Sequence, residues 1–177
     1  MSCGALTYGF DYECNDSVGG VKQGSILVTQ WDGITASTVS AGIVTAITAG
    51  TWYRYQVRSS ANIAGETTNM TADPTAGTAA YNSTFVWTLF NMSASKNVQL
   101  ELLIGKPVAI IYQDNNDVYH ILGLYSGADI TTVDKQSGAA FADMNGYTIT
   151  ATSMDKTFPR EVQSTVVDGL TISGELS

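Results

Sequence analysis

GKPVAIIYQDNNDVYHILGLYSG, residues 105–127, holds two apolar runs either side of an Asp-Asn-Asn-Asp cluster, and it also carries the only histidine of the chain, His120. Three readings compete: a calcium loop, an active-site strand, or a β-hairpin. A calcium loop of the EF-hand kind needs glycine at its sixth position and glutamate at its twelfth. Counted from Asp114, those positions hold Tyr119 and Tyr125. Catalysis by His120 would need a nucleophile and an orienting carboxylate, and no sequence signature for a nucleophile accompanies it. The hairpin needs only what is present. PVAIIYQ and VYHILGL are strand-like runs, and Asp114, Asn115, Asn116 and Asp117 tolerate the left-handed conformation of tight turns.

Moving outward from this hairpin, period two recurs along the chain. In TWYRYQVR, Tyr53, Tyr55 and Val57 alternate with Arg54, Gln56 and Arg58. In TFVWTLF, Phe85, Trp87 and Leu89 alternate with Thr84, Val86 and Thr88, and in YTITAT, Tyr147, Ile149 and Ala151 alternate with threonines. Alternation of this kind marks strands with one buried face. Further strands are expected over residues 25–30, 43–48, 107–113, 118–124 and 164–173, mostly separated by Gly, Asn or Asp. Asp143 and Asp168, beside Gly146 and Gly169, read as turn residues. The fold class that follows is mainly β, an antiparallel β-sandwich or barrel in one domain spanning residues 1–177.

SASKNVQLELLIGKP breaks the period. Ser93 or Ser95 can cap a helix, Leu100, Leu103 and Ile104 recur at helical spacing, and Gly105 and Pro107 stop it. One short α-helix over about residues 94–104 is expected to flank the sheet. The segment over residues 59–80 is small and polar, with one proline and no sustained period. That is far longer than ordinary connections within a domain, and a loop of that kind is functional or disordered. Its few larger apolar side chains are Ile63 and Met70, and its acidic ones Glu66 and Asp73.

Composition limits the functions available. Charged residues make up 14% of the chain, against about a quarter in ordinary soluble domains. Eight basic and sixteen acidic residues give a net charge of −8, which argues against a nucleic-acid grip. Cys3, Cys14 and His120 cannot complete the four ligands of a structural zinc site, and the two cysteines read as reduced thiols or as one disulfide. No phosphate-binding glycine loop, nucleophile elbow, metalloprotease helix or paired general acid and base is recognisable. The sequence predicts no enzyme, no metal and no cofactor. Without a basic leader or an apolar run of ~18 residues, neither a signal peptide nor a membrane span is expected. The three tryptophans and nine tyrosines leave room for a carbohydrate-binding or adhesive sandwich, because aromatic faces stack on sugars.

The succession of VGGVK (18–22), GIVTAIT followed by TWYRYQVR, TFVWTLFNMSASKNVQLELLIGKPVAIIYQDNNDVYHILG (84–123) and SGAAFADMNGYTITAT (137–152) resembles the tail-tube protein family of tailed bacteriophages and contractile injection systems. The phrases span most of the chain. At the turn the chain carries Asp117 where that family more often has glycine. The resemblance implies a virion protein, assembled in the host cytoplasm, whose copies form stacked and usually hexameric rings. Their inner sheets would line a channel through which DNA passes as non-specific cargo, with sheath, terminator and baseplate proteins as further partners. The resemblance also implies that residues 59–80 are a long loop or hairpin arm that orders against a neighbouring subunit, with Ile63 and Met70 as its apolar anchors and Glu66 and Asp73 available for polar contacts. A neck, tail-terminator or head-decoration protein of the same virion would share this composition. In a DNA channel the lumen should be neutral to acidic, with Arg54, Arg58 and Lys106 in subunit contacts or facing outward.

Overall fold

The computed structural model describes Gly9, residues 17–57 and residues 64–173. Its elements run β1 (Ile26–Gln30), β2 (Ile34–Ser40), β3 (Ile43–Ala49), β4 (Trp52–Tyr55), β5 (Ala64–Asp73) and β6 (Thr78–Phe90), then helix α1 (Ala94–Ile104). β7 (Val108–Gln113), β8 (Tyr119–Leu122), β9 (Ala128–Gln136), β10 (Gly146–Asp155) and β11 (Arg160–Val162) follow, and the short helix α2 (Ser164–Asp168) and β12 (Ile172–Ser173) close the order.

All twelve strands are hydrogen-bonded into one mixed sheet that runs β2-β3-β11-β8-β7-β9-β10-β6-β5, with β1 on β7 and β4 between β1 and β12. The β11–β3 and β12–β4 pairings are parallel and the rest antiparallel. The sheet folds at a corner where β7 meets β9 through one pair, Val108 opposite Ala128. There the chain turns through Gly123 and Gly127, at φ +73° and +76°. A Cβ on Gly123 would lie 2.7 Å from the Ala128 amide nitrogen and 2.9 Å from the Val108 carbonyl oxygen, so only glycine fits.

The fold at the corner lays two layers face to face. Ile26, Val28, Val108, Ile110 and Leu122 from one layer pack against Phe85, Trp87, Tyr147, Ile149 and Ala151 from the other, and Leu100 of α1 enters the same core. The alternation in TFVWTLF and YTITAT therefore selects the buried face as expected. β1 and β7 are buried on both sides, because a second core of Leu27, Ala109, Ile111, Val44, Trp52 and Val162 lies behind them. The sheet curls round that second core but does not close into a barrel.

Ser93, not Ser95, caps α1, its hydroxyl accepting the Lys96 amide at 3.2 Å. Gly105 ends the helix at φ −71°, so it needs no left-handed conformation there. Residues 164–173, expected as a strand, form α2 and the two-residue β12. The Gln163 carbonyl accepts the amides of Val166 and Val167, and the resulting turn sinks Val167 into the second core. Two adjacent valines suit a strand locally, but the core they meet is reached by a helical turn.

Candidate assembly surface

Of the two forms expected for residues 59–80, the described part is a hairpin. β5 pairs with β6 in unbroken register from Ala64 opposite Trp87 to Asp73 opposite Thr78. Threonine-rich, small residues become a strand because β6 supplies a complete ladder for their backbone groups. Residues 58–63, with Ile63 and Arg58, lie outside the described residues.

β10 covers β6 only as far as Asp155 opposite Tyr81. Beyond that pair the β5–β6 ribbon continues alone for three further pairs, Thr71 opposite Ala80 to Asp73 opposite Thr78, about 10 Å at 3.3 Å per residue, before its turn. Asp73 builds its tip: one carboxylate oxygen accepts the amides of Thr75 at 2.9 Å and Ala76 at 3.2 Å and the Thr75 hydroxyl at 2.5 Å. These bonds, the Thr75 hydroxyl first, hold the Asp73 pKa below the ordinary carboxylate value. Met70 is exposed at the ribbon's root, where Tyr81 packs on Phe158 with ring centres 4.4 Å apart.

Glu66 is placed differently from what its sequence neighbours suggest. Its side chain lies on the core side of β5, in the row of Phe85 and Ala151. The Tyr112 hydroxyl donates to one Glu66 oxygen at 2.6 Å, and the Thr68 hydroxyl donates to the other. Burial, then the Glu66 carboxylate, pushes the Tyr112 hydroxyl far above its ordinary pKa. Glu66 thus ties the edge hairpin to the opposite layer of its own chain. Of the four arm residues, Met70 and Asp73 stand on the ribbon and Glu66 beneath it.

The outer face of β9-β10-β6-β5 is a largely polar field. Pairing aligns Asp134, Thr148 and Thr88 in one row, Thr132, Thr150, Val86 and Gly65 in the next, and Asp129, Thr152, Thr84 and Thr67 in a third. No lysine or arginine stands in these rows. Arg54 is exposed on β4, away from this face, and Lys106 forms an ion pair with Asp32 at 2.7 Å. The alternating threonines were legible in the sequence; their alignment across four strands was not.

The Asp-Asn-Asn-Asp cluster is a turn, as expected. Asp117 takes the left-handed conformation at φ +66°, and the Asp114 carboxylate accepts the amides of Asn116 and Val118, each at 2.9 Å. The Asn116 side chain clamps the Val18 backbone with bonds of 2.9 and 3.0 Å, and Lys22 pairs with Asp117. Burial alone would raise the Asp114 pKa, but the hydrogen bonds from Val118, Asn116 and His120 outweigh it and the net shift is downward. His120 stacks on Tyr112, with ring centres 5.3 Å apart, and sits 3.4 Å from the Asp114 carboxylate. Among the described residues no cluster of His, Cys, Asp and Glu side chains could hold a metal ion, and no helix is long and apolar enough to cross a membrane. No family model, curated protein or solved structure matches the chain.

Proposed function

We propose that the protein is a structural subunit of a tailed-phage virion that polymerises as stacked, ring-shaped homo-oligomers to form a tail tube. The observation that carries this reading is the β5 edge. Monomeric proteins blunt an edge strand with lysine, proline, a bulge or a covering element. β5 has no lysine or proline, runs ten residues without a register shift, and ends the sheet path. Its two charged residues, Glu66 and Asp73, are engaged within the chain. The other end of the path, β2, carries no charged residue, but its pairing with β3 shifts register twice, so it is the more blunted of the two edges. Edge-to-edge joining of copies would extend the outer face of β9-β10-β6-β5 into a continuous wall, with the β5–β6 ribbon reaching past its own subunit.

That wall suits a DNA channel. Its aligned threonines offer water-compatible hydroxyls, and its charges, Asp129 and Asp134, repel phosphates. The sequence resemblance supplies the virion context and the expected partners, namely sheath, terminator and baseplate proteins. Negative-stain microscopy of concentrated protein tests the reading: tubes or stacked rings with a central channel are expected. A closed single ring or a trimer would transfer the protein to a neck, terminator or decoration role. A strict monomer, even with assembled tail ends present to nucleate it, would refute self-assembly.

A further inference from the structure

The loop joining β9 to β10 is built to hold one side chain in water. The Asp143 carboxylate accepts the amides of Ala139 and Ala140, both at 2.8 Å, and the Asp143 amide donates back to the Ala140 carbonyl at 3.1 Å. Gly138 closes the turn at φ +65°, where a Cβ would lie 2.4 Å from the Asp143 Cβ. At the apex Phe141 is fully exposed, at 113%. An ordered loop that presents an aromatic ring to solvent is the form of an interface anchor.

A groove of about 950 Å³ lies between α1 and β4, with Tyr53, Tyr55, Leu89, Phe90, Leu102 and Leu103 in its walls. Tyr53, Phe90 and Leu102 are among the exposed large apolar side chains of the chain. Arg54 and Lys96 line it as well, two of the eight cations in a chain of net charge −8. The Phe141 loop carries the opposite charge, Asp143, whose carboxyl is held below its ordinary pKa by the Ala140 and Ala139 amides. The loop leaves the sheet beside the groove, since Gly146 pairs with Phe90 and the Asn91 amide bonds the Asn145 carbonyl at 3.0 Å. Phe141 nevertheless does not enter the groove of its own chain.

We infer that Phe141 of one copy seats in the α1–β4 groove of a second copy, with Asp143 facing Arg54 and Lys96. This contact rests on the self-assembly reading but uses a surface separate from the β5 edge. It can be mapped by installing the photocrosslinker p-benzoylphenylalanine in place of Phe141, mixing isotope-labelled with unlabelled full-length protein, and locating adducts by mass spectrometry. Adducts between chains on Tyr53, Phe90 or Leu102 are expected. Phe141→Ser and Leu102→Glu, both at exposed positions, should each leave the melting temperature unchanged and raise the protein concentration needed for assembly on the order of tenfold to a hundredfold. Adducts confined to one chain, adducts elsewhere on a neighbour or on another protein, or unchanged assembly of both variants would overturn the inference. If tubes still form in such samples, the tube reading stands without it. A strictly monomeric sample overturns both.

Discussion

Shortening the ribbon separates its role in folding from its role in assembly. Replacing Ala72–Ala79, eight residues, by Asn-Gly joins Thr71 directly to Ala80, which already face each other in the ladder, through a two-residue turn of the kind hairpins prefer. The change removes two cross-strand pairs, Ala72 with Ala79 and Asp73 with Thr78, and the turn between them. All of these residues but Ala79 are exposed, and none belongs to either core. At about 0.2–1 kcal/mol per pair, the loss is at most about 2 kcal/mol, and the shorter connection offsets part of it. For a chain of this size that is a melting shift of a few degrees, on the order of 2–8 °C. Glu66 and Tyr112 remain untouched. Circular dichroism melts should therefore keep their cooperativity and amplitude, while light scattering and negative-stain microscopy should show assembly lost or shifted to at least about tenfold higher concentration. Tubes that form as readily as those of the parent would show that the ribbon is not the arm. Loss of folding would show that it belongs to the core.

Three other outcomes test the fold around the surface. Gly123→Ala should cost about 3 kcal/mol or more in urea unfolding, because the new Cβ meets backbone at 2.7 Å and the position has φ +73°; a variant as stable as the parent would mean that the corner relaxes freely. Tyr112→Phe removes the donor to Glu66 and should cost about 1–3 kcal/mol, with Glu66→Gln recovering part of the loss in the double variant because an uncharged acceptor is cheaper to leave unpaired. Asp114 has a depressed pKa, so its contribution to stability is present above the ordinary carboxylate value and is lost as pH falls through the lower folded value. Denaturation midpoints from pH 7 to pH 2 should fall less steeply for Asp114→Asn than for the parent, and identical slopes would remove Asp114 from the acid response.

The features legible in the sequence were those set by nearest neighbours along the chain. Alternation in TFVWTLF and YTITAT identified the buried faces of β6 and β10, the cap and stop around residues 94–104 located α1, and the clustered Asp and Asn residues located the turn at which Asp117 adopts positive φ. Each rests on side-chain periodicity or turn chemistry, which act within a few residues. The strands β2, β9 and β11 were not expected: β2 and β9 hold strand-forming Ile, Val and Thr, but their apolar alternation is broken where the pairing shifts register, and β11 is only three residues long. For β5 the sequence left loop and hairpin open, and the ladder on β6 decided. Residues 164–168 read as strand and fold as a helical turn for the same reason, since the second core decides where Val167 must go. The composition and the succession of phrases suggested an assembling virion protein, but the surfaces available for assembly exist only in three dimensions. Pairing across four strands aligned the threonines and aspartates into rows that hold no lysine or arginine, carried Glu66 under the hairpin to Tyr112, and left β5 at the end of the sheet with β6 as its one strand partner among the described residues, because strand order is settled by long-range burial and hydrogen bonding rather than by local sequence.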